Sequence, residues 1–313
     1  MRVSYHDGYS VPLPEQHPFP MGKFAALHAL LLAEGVIVPE NVVAPRAVDR
    51  ADLRLVHTER YLDALFSGTM TPAEVRRMGL PWSAALVRRS VLAVQGTINA
   101  ASMALTDGVA GNLAGGTHHA MPDGGEGFCV LNDVAVAVRV LQRSAWVRRA
   151  LVVDLDVHQG NGNAAFFGGE RAWPHGGVFT LSLHGDKNFP FRKPPSTLDV
   201  PLPDGTGDAA YLDALALHLP AALDAARPDL VVYLAGVDVV AGDRFGRLAL
   251  TRAGLAQRDR YVCETVRAAG VPLCLLLSGG YARRERGGLT LADETADLHA
   301  TVFREAAAVF ETR

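Results

Sequence analysis

Residues 150–158 read ALVVDLDVH, a short apolar run that ends in two carboxylates and an imidazole. The β-branched, nearly continuous apolar run Ala150–Leu155 is typical of a strand buried on both faces, as in a parallel sheet covered by helices. Three similar runs follow at Val178–Leu183, Leu230–Ala235 and Val271–Leu277. The sequence therefore predicts a parallel sheet built around these four strands.

Segments with helical spacing of apolar residues are interspersed with the strands. We predict helices over Met21–Glu34, from Ser83 to about Leu105, and from Leu131 to about Gln142, all rich in Ala, Leu or Val. Because helices and strands alternate, we expect a three-layer α/β/α sandwich with a central, mostly parallel sheet. No repeat, low-complexity tract or linker divides the chain, so residues 1–313 are predicted to form one domain.

The region Gly185–Asp208 looks different from the rest of the chain. It contains five prolines, at Pro190, Pro194, Pro195, Pro201 and Pro203. Prolines at this density predict a loop without regular structure. A loop this long inside a compact domain is more often functional than idle.

Composition and charge narrow the possible functions. Charged residues make up 20% of the chain and the formal net charge is −3. Lys and Arg are scattered apart from small groups such as Arg283, Arg284 and Arg286, which are typical of a solvated surface. We therefore expect no nucleic-acid partner.

Cysteine usage and hydropathy predict a cytoplasmic, soluble protein. The three cysteines, Cys129, Cys263 and Cys274, show no CxxC spacing, which argues against a disulfide framework or a thiolate zinc site. The first residues are polar, and no run of 18 apolar residues occurs, so we expect neither export nor a membrane span.

Polar residues cluster where the predicted strands end, the edge at which open α/β sheets bind ligands. Asp154, Asp156 and His158 alternate along a strand and so point to the same face. Two carboxylates and an imidazole are costly to bury there unless they are paired or bind a metal. Taken alone, the same pattern also fits a solvated strand end with a hydrogen-bonded histidine.

Three other motifs lie near the same predicted edge. A glycine-rich loop leads to the adjacent imidazoles of His118 and His119, and a loop lets both turn into one cavity. Asp238 follows one buried strand, and Ser278-Gly279-Gly280-Tyr281 follows another. Singly, these motifs are also compatible with a surface histidine pair, a capping aspartate and an ordinary glycine turn.

Taken in order, these motifs resemble the histone deacetylase superfamily over most of the chain. The details are similar to its class IV branch, and Ser278 stands where class I members have another glycine. The segments that suggest class IV are His17-Pro18-Phe19 with Gly22-Lys23, Val56-His57-Thr58 before Tyr61-Leu62, and Asp156-Val157-His158-Gln159-Gly160-Asn161-Gly162. The resemblance implies the arginase/deacetylase fold and hydrolysis of an acyl-amide.

The resemblance also implies a metal site. Asp156, His158 and Asp238 are then the ligands of a catalytic zinc ion, which would polarise the scissile carbonyl and lower the pKa of the attacking water. The oxygen-rich ligand set leaves room for iron(II).

Catalytic roles follow from the same resemblance. His119 is expected to be the general base that later protonates the leaving amine, with His118 as its electrostatic partner, held by Asp154. Asn161 stands where class I enzymes have an aspartate, so the partner of His119 is neutral and its basicity should change. Tyr281 is expected to donate its hydroxyl to the oxyanion.

Further residues are assigned to substrate and ion binding. Phe128 is expected to wall the substrate tunnel, Phe189 to form the opposite wall, and the Gly127 carbonyl to receive the substrate amide. Asp154, with Ser182 and Leu183, resembles the structural site for K⁺ or Na⁺ in this family. Cys129 is expected to be inert packing, since no basic partner is apparent.

The sequence is compatible with more than one class of substrate. The expected partner is an acyl-lysine protein or peptide, and the class IV resemblance implies a preference for long fatty acyl groups over acetyl. An acetylpolyamine or another acylated small-molecule amine is the alternative, with Glu15, Asp123 and Glu126 available for a cationic substrate. Less favoured are a catalytically silent metal-binding protein and an arginase-like dimanganese enzyme, which needs additional ligands. The oligomeric state is not predicted.

Overall fold

Eight strands form one sheet in the computed structural model, which describes residues 1–168, 177–283 and 289–311. In chain order they are β1 (Arg2–Ser4), β2 (Val42–Val43), β3 (Val109–Asn112), β4 (Ala150–Asp154), β5 (Val178–Gly185), β6 (Leu198–Leu202), β7 (Leu230–Leu234) and β8 (Leu273–Leu276). Their order across the sheet is β2-β1-β3-β8-β7-β4-β5-β6, and every pairing is parallel. The predicted parallel sheet is thus confirmed.

The described residues also form ten α-helices and two short 3₁₀ helices. The α-helices are α1 (Lys23–Ala33), α2 (Arg50–Leu53), α3 (Glu59–Ser67), α4 (Pro72–Met78), α5 (Ala84–Asp107), α6 (Asp133–Arg143), α7 (Asn161–Phe167), α8 (Asp208–Ala226), α9 (Arg252–Ala268) and α10 (Leu291–Phe310); the 3₁₀ helices span Asp7–Tyr9 and Pro39–Asn41. Two of the three predicted helices, α5 and α6, begin after a capping side chain. Ser83 accepts a hydrogen bond from the Leu86 amide, and Asn132 accepts one from the Ala135 amide.

The two faces of the sheet are covered by different helices. Along β4, Leu151 and Val153 pack into a core shared with α1, α8, α9 and α10, whereas Val152 packs into a second core with α5, α6 and α7. This alternation is the one expected of a pleated strand buried on both sides. The predicted three-layer sandwich is confirmed.

The region 185–208 differs from the prediction, because it contains β6. This strand lies at the edge of the sheet beside β5, with Pro201 opposite His184. A proline has no amide hydrogen to donate, which an edge strand tolerates because its outer side is unpaired. The prolines therefore did not prevent regular structure. β5 also extends beyond the predicted run Val178–Leu183, so His184 lies inside the strand.

The sheet order brings the polar motifs together. β4 lies between β7 and β5, and β8 is next to β7, so the carboxyl ends of these parallel strands meet at one edge. The residues that follow β4, β7 and β8 include Asp156, Asp238 and Ser278.

Arg284 and Arg286 of the predicted basic group lie outside the described residues. Among the residues that are described, no helix is long and apolar enough to cross a membrane.

Candidate metal centre and active site

Asp156, His158 and Asp238 form a compact cluster at the carboxyl edge of the sheet. One donor atom from each residue lies within 4.8 Å of the others, and all three residues are buried. His158 Nδ1 is 3.0 Å from Asp156 Oδ1 and 3.2 Å from Asp238 Oδ2. The three residues predicted as metal ligands are therefore adjacent in space.

The hydrogen bonding of the two carboxylates fits a bound cation. Asp238 Oδ1 accepts the Val157 amide at 2.9 Å, and the buried Asp238 Oδ2 shares the single His158 Nδ1 with Asp156. Two buried carboxylates with one imidazole between them keep an excess of negative charge in the interior, which a divalent ion would compensate. Burial opposes protonation of His158, yet hydrogen bonds to Asp156 and Asp238 raise its pKa to about 10, a measure of how strongly this site attracts positive charge. The donor set thus fits a divalent metal with open coordination positions.

A buried arginine on α9 ties the two ligand-bearing loops together. Arg258 Nη1 donates to the carbonyl of Leu155 at 3.2 Å and to that of Gly236 at 2.6 Å. Its Nε donates to Asp259 at 2.9 Å, and both residues of this ion pair are fully buried. Since Leu155 immediately precedes Asp156, the arginine fixes the backbone next to the metal ligands. No role for Arg258 was predicted from the sequence.

The two adjacent histidines lie in one loop and face into the same site. Their ring centroids are 4.0 Å apart. His118 Nδ1 donates to Asp154 Oδ2 at 2.7 Å, and His119 Nδ1 donates to Asn161 Oδ1 at 2.6 Å. The expected partners of both imidazoles are therefore in place, and in neutral His119 the Nε2 atom is left as a proton acceptor.

The surroundings of His118 and His119 shift the pKa values of the two imidazoles in opposite directions. Burial disfavours the charged form of His118, but the carboxylates of Asp154 and Asp156 outweigh it and raise its pKa to about 9. Burial and the neighbouring charge of His118 hold the pKa of His119 well below its usual range. A pair of titratable groups separated in this way is typical of acid–base sites.

Asp133 holds the histidine loop and was also missed from the sequence. It is the first residue of α6, and its carboxylate accepts the amides of Gly116 (3.0 Å) and Thr117 (2.7 Å). The hydroxyl of Thr97 donates to it at 2.5 Å. A buried carboxylate with these donors fixes the loop directly before His118.

The Ser278–Tyr281 turn passes very close to the two ligand carboxylates. Gly279 donates its amide to Asp156 Oδ2 at 2.6 Å, and a Cβ at this position would collide with both Asp156 and Asp238. Ser278 Oγ donates to the same Asp156 oxygen at 2.8 Å. Only glycine fits this close approach, which places Tyr281 next to the cluster.

Tyr281 is packed among aromatic rings. Its ring lies 5.0 Å from that of Phe245, 5.7 Å from Phe128 and 6.1 Å from Phe19. Its amide donates to Asp243 Oδ2 at 2.8 Å, a contact not foreseen from the sequence. Burial and the charges of Asp238 and Asp156 raise the pKa of its phenol well above the usual value, so the hydroxyl stays protonated.

An open cavity of about 520 Å³, here called the entrance groove, leads from solvent to these residues. Phe128 and Phe189 line it, and the Phe189 ring meets His119 edge-on at 5.0 Å between centroids. Gly127 has a φ of 54°, and a Cβ there would collide with the His119 ring. The three residues predicted to bind substrate thus border the groove.

A second, much smaller cavity of about 40 Å³, the inner cavity, lies beyond the entrance groove. Both cavities are bordered by His119, Gly127, Phe128, His158 and Tyr281. The site is therefore the junction between the entrance groove and the smaller inner cavity. Cys129 also lines the inner cavity. Burial raises the pKa of its thiol, in keeping with an inert side chain.

The residues predicted to bind a monovalent cation lie side by side. Asp154 of β4 is paired in register with Ser182 of β5, which Leu183 follows. Asp154 Oδ1 accepts the Asp156 amide at 3.2 Å, and Ser182 Oγ lies 3.0 Å from His184 Nδ1. Binding of a monovalent cation by these three residues stays a prediction.

A family model described as the histone deacetylase domain matches residues 17–292. The chain belongs to this family. Over 281 residues, this histone deacetylase family member is 51% identical to an uncharacterized protein of Picosynechococcus, covering 90% of this chain and 92% of that one. It is 31% identical to Histone deacetylase 2 of Arabidopsis thaliana, with coverage of 90% and 74%.

A solved structure agrees with the family assignment at the level of the fold. The histone deacetylase family chain superimposes on the HDA15 HD domain with a TM-score of 0.77, covering 100% of this chain and 91% of the other, at 23% sequence identity. The arginase/deacetylase fold expected from the sequence is thus confirmed.

Proposed function

We propose that this protein is a zinc-dependent amidohydrolase that removes an acyl group from a lysine side chain. The observation that supports this most directly is the junction itself, where a cation-attracting Asp-His-Asp cluster adjoins two differently tuned imidazoles and a protonated tyrosine. Family membership supports an amide deacetylase. The class IV-like segments support assignment to that branch. They include Ser278, whose hydroxyl donates a hydrogen bond to Asp156.

Asp156, His158 and Asp238 would hold the metal ion. A divalent cation there supplies Lewis-acid polarisation of the scissile carbonyl and lowers the pKa of the attacking water. Two carboxylates and one imidazole suit zinc and are also compatible with iron(II). Asp154, Ser182 and Leu183 would hold a structural K⁺ or Na⁺ ion.

The two imidazoles divide the proton transfers. His119 is neutral with Nε2 free to accept, so it takes the proton of the attacking water and returns it to the leaving amine. His118, kept cationic by Asp154, stabilises the negative charge that develops nearby. The neutral partner Asn161 fixes the tautomer of His119 without making it strongly basic.

Tyr281 and the groove complete the reaction centre. The protonated phenol donates to the carbonyl oxygen as it becomes an oxyanion, an interaction stronger in the transition state than in the ground state. The Gly127 carbonyl accepts the substrate N–H. Phe128 and Phe189 enclose the lysine methylenes and exclude water from the amide.

The sizes of the two cavities favour a short acyl group. A lysine attached to a polypeptide would enter through the open entrance groove, which directs its acyl group into the inner cavity. About 40 Å³ holds a group near the size of acetyl. Longer chains would displace buried side chains such as Phe24 and Arg89. This argues against the long fatty acyl preference expected from class IV enzymes.

An acetylpolyamine hydrolase is the second candidate, and the groove gives it little support. Of the three acidic residues considered for a cationic substrate, Glu126 lines the groove, while Glu15 and Asp123 are not among its lining residues. Burial raises the pKa of Glu126, and its Oε2 lies 3.4 Å from Asn161 Nδ2, so it faces the catalytic residues.

Metal content and hydrolysis of an acetyl-lysine peptide test the proposal together. We expect about one equivalent of divalent metal in the wild type and loss of both metal and turnover in Asp238→Ala. Asp213→Ala, an exposed change on α8, is the control and should alter neither. Full metal content and turnover in Asp238→Ala would refute the ligand assignment, and a metal-loaded wild type without amidase activity would support a silent metal-binding protein.

A further inference from the structure

The side chains that line the entrance groove are more often cationic than acidic, although the chain as a whole is acidic. Three cationic side chains, Arg77, Lys187 and Arg247, line the groove, against the carboxylate of Glu126. The formal net charge of the whole chain is −3. The cationic lining is therefore a local feature that does not follow from bulk composition, and Asp204 and Asp123 lie next to it.

These cations remain accessible to a ligand. The side chains of Lys187, Arg247 and Arg77 are 70%, 55% and 41% exposed. Lys187 and Arg247 share one carboxylate, Asp204, at 4.0 Å and 3.2 Å, so one of their two charges is uncompensated. Arg77 is 3.8 Å from Asp123. The contacts of Lys187 and Arg77 are long, whereas Arg247 is hydrogen-bonded to Asp204, so an incoming carboxylate could compete most easily for Lys187 and Arg77.

An aromatic surface accompanies the charge. Phe191 lines the groove with 90% of its surface exposed, and Phe245 beside it is partly exposed. Arg244 lies over the Phe245 ring at 5.7 Å. Apolar rings with a cationic border suit an extended polypeptide, whose backbone covers the rings while its acidic side chains reach the border.

We propose that the entrance groove selects acyl-lysine within an acidic polypeptide segment, through Lys187, Arg247 and Arg77. This inference rests on the proposed function, because it names the amine side of the same substrate. A polyamine, itself a polycation, is disfavoured by the same charges.

The experiment compares three peptides that differ only beside a central acetyl-lysine, which is flanked by glutamates, glutamines or lysines, together with acetylspermidine. We expect kcat/KM to be about tenfold higher for the glutamate peptide than for the glutamine peptide, because two or three exposed ion pairs act together and each is weak. The lysine peptide and acetylspermidine should be the poorest substrates. Raising ionic strength from about 0.02 to about 0.3 M should shrink the preference.

Charge reversal at the mouth provides the decisive comparison. Lys187→Glu and, separately, Arg247→Glu should lower the ratio of kcat/KM for the glutamate and glutamine peptides several-fold. Arg149→Glu, just before the amino end of β4 and so at the opposite edge of the sheet, is the matched control and should leave the ratio unchanged. Thermal melting of each variant checks folding.

The outcomes separate this inference from the proposed function. If all three peptides are hydrolysed equally well, or if the mouth variants keep the wild-type ratio, the charge selection is refuted and the amidohydrolase proposal stands. If acetylspermidine is the best substrate, the groove inference is wrong and the polyamine alternative replaces it. If none of the amides is hydrolysed by the metal-loaded protein, the proposed function itself fails.

Discussion

Arg258 offers a sharp test of how the fold holds the metal ligands. Arg258→Met removes the hydrogen bonds to the Leu155 and Gly236 carbonyls and leaves Asp259 without its cationic partner. Removing one member of a buried ion pair costs about 3 to 5 kcal/mol, mainly because the remaining charge is unpaired. The Tyr233 hydroxyl still donates to Asp259 at 2.5 Å, and Asp259 can protonate. We therefore expect a loss near the lower value, about 3 kcal/mol.

The same change should weaken metal binding, because the carbonyls released lie beside Asp156 and the loop of Asp238. Partners that orient metal ligands typically contribute about tenfold or more to affinity. The free energy of unfolding is measured by urea titration of the metal-free protein, and affinity by competition with a chelator. Arg260→Met on the same helix is the control, since Arg260 pairs with Glu305 at the surface and should contribute little to either quantity. Wild-type unfolding energy and metal affinity in Arg258→Met would refute the positioning role.

Three further predictions concern the reaction centre. Tyr281→Phe should fold normally and lose about a hundredfold or more in kcat with nearly unchanged substrate binding, and equal turnover would remove Tyr281 from the mechanism. Asn161→Asp places a carboxylate beside His119 Nδ1, which should favour the imidazolium and move the acidic limb of the pH profile of kcat/KM to higher pH by about one unit or more. If the limb does not move, a group other than His119 sets it. Among acetyl-, octanoyl- and myristoyl-lysine versions of one peptide, the acetyl form should have the highest kcat/KM, and a myristoyl optimum would mean that the inner cavity opens beyond its 40 Å³.

The central strands could be predicted from the sequence because each is buried on both faces. The runs that became β4, β7 and β8 are almost entirely apolar, and the predicted run of β5 interrupts its apolar residues only with Thr180 and Ser182. The outer strands lack this pattern. β2 spans only Val42–Val43, and β6 includes an aspartate and a proline because its exposed edge tolerates them.

The candidate site could be located for a related reason. Parallel strands place their carboxyl ends at one edge, so polar residues that follow several buried strands must approach one another. The sequence could not fix how deep the cavities are, since their walls come from segments far apart in the chain, such as Phe24, Arg89 and Phe245. The acyl-length expectation depended on that depth, and for that reason the proposed function departs from it.

The positioning residues were missed because each looks ordinary in its local sequence. Arg258 and Asp259 sit among the other charges of α9, where a solvated face is the usual interpretation. A signal was nevertheless present: Leu255, Val262 and Val266 mark the apolar face of that helix, and position 259 falls on it at helical spacing. A charged residue on an apolar face must be paired or bonded to backbone, because burying it alone costs too much. Helices that pack beneath a ligand-binding edge are therefore the place to look for such residues, and on α9 the buried arginine reaches the backbone beside both metal-ligand loops.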